Sequence, residues 1–239
     1  MPRKSPPGPK KGPNRNLLIA LVAVAVVVVA IVIGALVLGG GDDGGGGSDG
    51  QNASAYLDGI AQDGAVLGSA DAGVTLIQFE DLQCPICKQY TEEGQPAIVE
   101  EYVRPGEVKL QFVGLAFIGP DSEKALRYSL AAGEQGKLWQ YTEELYEAQG
   151  AENSGWVTDD LLEEIATGLE LDWDQLQTDA ESAEVTAQAK AMAAEGQERE
   201  IPGTPWFYVQ VGDGEPYEVQ PRSFAIEEFR LILDDALQG

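Results

Sequence analysis

The sequence has no histidine, only two cysteines, and 15 lysines and arginines against 40 aspartates and glutamates. Without histidine there is no imidazole general base, no serine or cysteine hydrolase triad, and none of the usual catalytic zinc ligand sets. A net charge of −25 argues against nucleic-acid partners, because binding phosphate requires a concentrated basic face. Disorder is not the reason for these shortages, since 44% of the 239 residues are hydrophobic. Length allows one ordinary domain with appendages, or two small ones.

Charge is distributed unevenly along the chain. Five basic residues (Arg3, Lys4, Lys10, Lys11 and Arg15) precede the first acid, and all 40 acidic residues follow position 41. The later part therefore holds 10 basic and 40 acidic residues, a net −30. Between the two lies Leu17–Leu38, an uncharged run of Val, Ala, Ile and Leu. As a helix it would be roughly 33 Å long, enough to cross a hydrocarbon core of about 30 Å. The competing reading is a cleaved signal peptide, whose apolar region is usually shorter and ends in a small-x-small site that is not evident here. The basic flank orients such an anchor with the N-terminus cytoplasmic and the acidic bulk outside the cell membrane. Residues 1–16, rich in Pro, Gly and Lys, form a disordered head. Residues 39–54, mostly Gly, Asp, Ser and Asn, form a flexible tether.

Residues 55–239 carry a mixed α/β pattern. Val74–Phe79 is a buried-strand run, and Glu107–Val113 alternates apolar and polar positions. The segment between them, from Pro85 to about Val103, can be helical, with Pro96 kinking it. Strand, helix and strand make one right-handed βαβ unit. Helical patterns then run through Ser122–Glu134, Leu138–Ala148, Thr158–Leu169, Asp172–Leu176 and Glu184–Glu198. Trp206–Val211 and Tyr217–Gln220 read as a hairpin about Gly212-Asp213-Gly214. Phe224–Leu237 closes as an amphipathic helix with Phe224, Phe229, Ile232, Leu233 and Leu237 facing inward.

Cys84-Pro85-Ile86-Cys87 is the motif that can carry chemistry. A Cys-x-x-Cys pair fits half a zinc site, an inert buried pair or structural disulfide, or a redox-active dithiol. The zinc reading needs two further Cys or His ligands, and the chain has none, so no metal is expected. The dithiol reading uses the placement directly after a strand and at a helix start, where Pro85 fits the first turn. There the free N–H groups and the helix dipole favour a thiolate on Cys84, which would be the exposed nucleophile. Cys87, one turn in, would be the buried resolving thiol. Gly203-Thr204-Pro205 opens the later strand. It reads either as an ordinary loop proline or as a cis-proline loop that offers the Thr204 backbone to an extended substrate peptide.

These two motifs, with Val74-Thr75-Leu76-Ile77-Gln78-Phe79-Glu80-Asp81-Leu82-Gln83 leading into the first, resemble the DsbA-like thiol–disulfide oxidoreductases of the thioredoxin superfamily. The similarity is greatest to the membrane-tethered Gram-positive type and covers about Gly64 to Leu237. It implies an α/β thioredoxin fold with a helical subdomain inserted at about 120–198, here preceded by one transmembrane helix. It implies that Cys84 is the nucleophile, Cys87 the resolving thiol and Pro205 the cis-proline. The reaction would use no cofactor. Its partners would be protein thiols and disulfides, together with a membrane redox partner.

The sequence also departs from that family. Strong oxidases often carry a histidine between the cysteines. Pro85-Ile86 offers no such charge, which points to a less oxidising couple. The buried acid often found six positions before the first cysteine is here Gln78, which leaves Glu80 or Asp81 to modulate the site. Trp206 and Phe79 are expected in the core rather than in a substrate groove. The direction of exchange stays open between oxidase and a reductase or isomerase, and a non-catalytic tethered binding module is the alternative of another class.

Overall fold

The computed structural model describes Ala53–Gly239. The basic head, the apolar run Leu17–Leu38 and the glycine-rich segment up to Asn52 lie outside the described residues. Among the described residues no helix is long and apolar enough to cross a membrane.

A six-stranded sheet organises the chain. In sequence the strands are β1 (Gln62–Asp63), β2 (Val66–Leu67), β3 (Val74–Glu80), β4 (Val108–Gly114), β5 (Trp206–Val211) and β6 (Tyr217–Val219). Their order across the sheet is β1-β2-β4-β3-β5-β6. β3 is central, parallel to β4 and antiparallel to β5. It is buried along its whole length because both faces of the sheet are covered. With a strand period of two, Val74 and Leu76 enter the larger core, while Ile77 and Phe79 enter a second cluster with Val113, Leu115 and Tyr208.

The helix after β3 is α1 (Pro85–Glu93). It ends at Gly94, where a side chain would meet the Phe224 carbonyl oxygen at 2.9 Å and the Tyr90 ring. The chain resumes as α2 (Gln95–Ile98) and a π turn, Val99–Val103. The kink expected at Pro96 is a break at Gly94, after which Pro96 sits in the first turn of the resumed helix, where its missing N–H costs nothing; the crowding explains why residue 94 is a glycine. Five helices separate β4 from β5: α3 (Pro120–Glu134), α4 (Leu138–Glu147), α5 (Asp159–Gly168), α6 (Trp173–Ala180) and α7 (Ala183–Glu198). Thr158, Asp172 and Ser182 cap three of them through side-chain oxygens that accept backbone N–H groups.

The last helix, α8 (Ile226–Gln238), seats Phe229 against Phe207 and Tyr90, with ring centroids 5.6 and 5.7 Å apart. Two readings of this segment change. Leu237 is exposed rather than inward, since it falls on the last turn beyond the core. Phe224 lies before the helix, yet still meets Tyr90 edge-on. The small hairpin β1–β2 has strands too short to show a hydrophobic period. Ser54, placed at the end of the tether by its composition, is buried in a 3-10 turn, Ala53–Leu57. Its N–H and hydroxyl both donate to Glu144 of α4.

Candidate active site

Cys84 is the N-cap of α1, and Pro85 occupies the first turn. The Cys84 N–H donates to the Asp81 carbonyl at 2.8 Å, which tightens the turn out of β3. The thiol donates to the carbonyl oxygen of Thr204 at 3.3 Å. The Thr204–Pro205 peptide bond is cis. The β3–β5 register pairs Phe79 with Trp206, which brings the start of β5 to the cysteine end of β3. Two loops far apart in sequence therefore meet at one sulfur.

The two thiols differ sharply. Cys84 is held well below an ordinary thiol, at about 6. The main cause is a hydrogen bond from Cys87, helped by the Thr204 hydroxyl and by the backbone N–H groups of Cys87 and Ile86, which together outweigh burial. Cys87 is fully buried and pushed well up, first by burial, then by its bond to Cys84 and the charge of Glu80. Both cysteines are free thiols, and Cys84, expected to be exposed, is itself largely covered, at 7% exposure, with the Thr204 loop against its sulfur. The arrangement can hold a thiolate on Cys84 at neutral pH while Cys87 keeps its proton. Ile86, between them, is 48% exposed and offers only an apolar surface.

A model of the family described as Thioredoxin matches residues 61–235. The chain belongs to the thioredoxin family. It is a DsbA-like thiol–disulfide oxidoreductase of that superfamily, similar to proteins named for disulfide bond formation. The probable disulfide bond formation protein D of Bacillus anthracis is 31% identical over 151 residues, covering 60% of this chain and 68% of that protein. BdbD of Bacillus subtilis in its oxidised form superposes with a TM-score of 0.64 at 27% identity, over 76% of this chain and 97% of that one. A thioredoxin-like oxidoreductase from Silicibacter pomeroyi gives 0.58 at 29% identity, over 78% and 97%.

In this DsbA-like domain the two carboxylates before the motif part company. Asp81 closes the loop: its Oδ2 accepts the N–H groups of Phe117 and Ile118, both at 3.1 Å, and its Oδ1 accepts Ser122 and the Gln83 N–H. Glu80 points into the core under the cysteines and accepts only the Tyr146 hydroxyl, at 2.7 Å. Burial, with a smaller push from a charge on Cys84, raises its carboxyl to about 8 against the Tyr146 bond. Gln78, on the same face, is tied into a buried chain instead. It accepts from Tyr90 and donates to Gln95, which in turn donates to Glu143 and Tyr56. Phe79 is fully buried, and Trp206 packs partly buried against the second cluster.

Tyr146, Glu143 and Gln149 escaped the sequence reading. Gln149 donates to the carbonyl oxygens of Leu82 and Cys84. All three lie on or just after α4, more than 55 positions past the motif. Glu143 left a signal in falling among buried positions of an amphipathic helix. The others left none.

Proposed function

We propose that this enzyme is a membrane-anchored, extracytoplasmic oxidoreductase that introduces disulfides into client proteins through Cys84 and Cys87. Leu17–Leu38 is the anchor. The observation that carries the exchange reading is the asymmetry of the thiols: a Cys84 sulfur at a helix N-terminus, served as a thiolate by Cys87, the Thr204 side chain and two backbone N–H groups, beside a buried, protonated Cys87.

A client thiolate attacks Cys84 of the oxidised enzyme, and the Cys84–Cys87 bond breaks. Cys87 leaves with the electron pair and takes up a proton. A second client thiolate then attacks the client sulfur of the mixed disulfide and expels Cys84 as a thiolate. The client loses two electrons and the enzyme gains them. A membrane redox partner then reoxidises the pair. Glu80 is the proton carrier for Cys87, in the role that Gln78 cannot fill. In the reduced enzyme burial holds a proton on Glu80 and the charge on Cys84 adds to that hold; the added part alone is released once Cys84 is in a disulfide. Reduction and protonation are thereby linked.

Stabilising the Cys84 thiolate stabilises the reduced enzyme and makes the couple oxidising. A value of about 6 lies between thioredoxin, near 7, and the strongest oxidase, near 3.5. The expected potential therefore falls between roughly −270 and −120 mV. The full chain should reoxidise reduced ribonuclease in the presence of an oxidant. A potential at or below that of thioredoxin, with insulin reduction but no ribonuclease reoxidation, would reverse the direction. Protease digestion of intact cells tests the topology: the domain should be cleaved from outside.

A further inference from the structure

The loop after α4 is pinned to the turn that leads into Cys84. Gln149 Nε2 donates to the Leu82 carbonyl at 2.9 Å and to the Cys84 carbonyl at 3.3 Å. Both partners are carbonyl oxygens, which only accept, so the atom facing them is the amide nitrogen with its two hydrogens. Four residues on, the Asn153 N–H donates to Gln83 Oε1 at 2.6 Å, and Gln83 Nε2 donates to Ser122 and to Asn153 Oδ1. Asn153 thus holds the residue before the nucleophile. Gln149 reaches the main chain of the nucleophile itself.

That main chain is unusual at this point. A peptide unit ordinarily has both an N–H and a C=O to fix its tilt. The unit between Cys84 and Pro85 has only the carbonyl, because proline carries no N–H. Two donors serve that carbonyl: the Lys88 N–H at 3.2 Å, which begins the ladder of α1, and Gln149. Cys84 is extended, with φ −74° and ψ 118°. The ψ rotation that tilts its carbonyl also sets how the sulfur faces the Ile86 and Cys87 N–H groups that serve it as a thiolate. With Gln149 in place, the carbonyl is held from both lone pairs and the positive end of an amide dipole lies beside Cys84. Without it, a single bond remains and the negative end of the carbonyl is free to turn toward the sulfur.

We infer that Gln149 is a positioning residue for thiol–disulfide exchange, acting on Cys84 through the carbonyl oxygen that it holds. The inference rests on the exchange reading above and adds to it a residue of the helical insertion, 65 positions past the nucleophile.

The test is an ultraviolet titration of the Cys84 thiolate in the reduced full chain, with the wild type expected near pH 6. Gln149→Met keeps the length of the side chain and removes the donor. It should raise the midpoint by about half a pH unit, a roughly threefold gain in proton affinity. At pH 7 its equilibrium with glutathione should move about twofold toward the disulfide. Gln149→Lys restores a donor and should keep the midpoint at or below that of the wild type. Asn153→Gly loosens the same loop without touching the Cys84 carbonyl. Glycine suits the left-handed backbone there, at φ 54°, and Gln83 keeps Ser122 and the N–H of residue 153. This variant should lose stability in urea yet move the midpoint by less than about 0.2 in pH.

A midpoint unmoved by Gln149→Met, equal rises in Gln149→Met and Asn153→Gly, or a rise in Gln149→Lys would each overturn the role. The wild type separates this inference from the reading beneath it. A wild-type midpoint near that of a free thiol, about 8.5, removes the exchange reading. A wild-type midpoint near 6 that Gln149→Met leaves in place removes only the positioning role.

Discussion

The Tyr146 hydroxyl donates to Glu80 Oε2 at 2.7 Å, and both groups are buried. The bond joins a helix of the insertion to the end of the central strand, directly behind the cysteine pair. It gives a carboxyl under the active site one hydrogen bond and no cation, which is why burial prevails and the group stays protonated near neutral pH.

Glu80 should therefore cost stability as pH rises. Its folded value, about 8, lies above its ordinary value of about 4.5. Its favourable contribution is complete below pH 4.5 and is lost as pH climbs toward 8. Glu80→Gln removes that loss. Denaturant unfolding of the reduced protein should show the variant gaining on wild type between pH 5 and 8, by on the order of a few kcal/mol. A constant gap across that range would show that Glu80 is not held neutral.

In its proposed role as proton carrier, Glu80 should also set the rate at which Cys87 resolves mixed disulfides. Glu80→Gln is expected to slow that step by about a hundredfold. Tyr146→Phe keeps the carboxyl but removes the bond that lowers it. Its pH–rate profile should shift to higher pH, with the plateau retained. Stopped-flow release of a peptide from the Cys84 mixed disulfide measures both.

The Cys84 thiolate should titrate near pH 6 in the reduced protein, followed by its ultraviolet absorbance. The stability sign is opposite to that of Glu80. A thiol depressed from about 9 to about 6 contributes stability above pH 9 and loses it as pH falls through 6. The reduced wild type should gain on Cys84→Ser as pH rises across that window. A thiolate midpoint near 8.5 would remove the basis of the nucleophile assignment.

Cys87→Ser should accumulate covalent complexes with clients, visible on non-reducing gels and dissolved by dithiothreitol. Cys84→Ser should form none, because the outer sulfur is missing.

Phe229→Ala should destabilise the domain by about 3–5 kcal/mol. The ring is fully buried against Phe207 and Tyr90, so its loss opens a cavity behind α1. Urea unfolding checks this, and Leu231→Ala, at an exposed position of the same helix, should change little.

Local patterns carried much of this protein into view. β3, the helix start at Pro85, the cysteine spacing, the helix start at Thr158 and the asymmetry of charge are all written in local sequence, because each depends on neighbours a few residues away. Tertiary structure decided the rest. The register of β5 on β3 set Thr204 against Cys84 across 120 positions. Glu80 and Asp81 are adjacent and chemically alike, and nothing local separates them. The strand pleat sent Glu80 inward to Tyr146 and left Asp81 to hold the loop. Both are buried, and it is their partners, supplied by distant sequence, that set Glu80 beneath the cysteines and Asp81 in the loop.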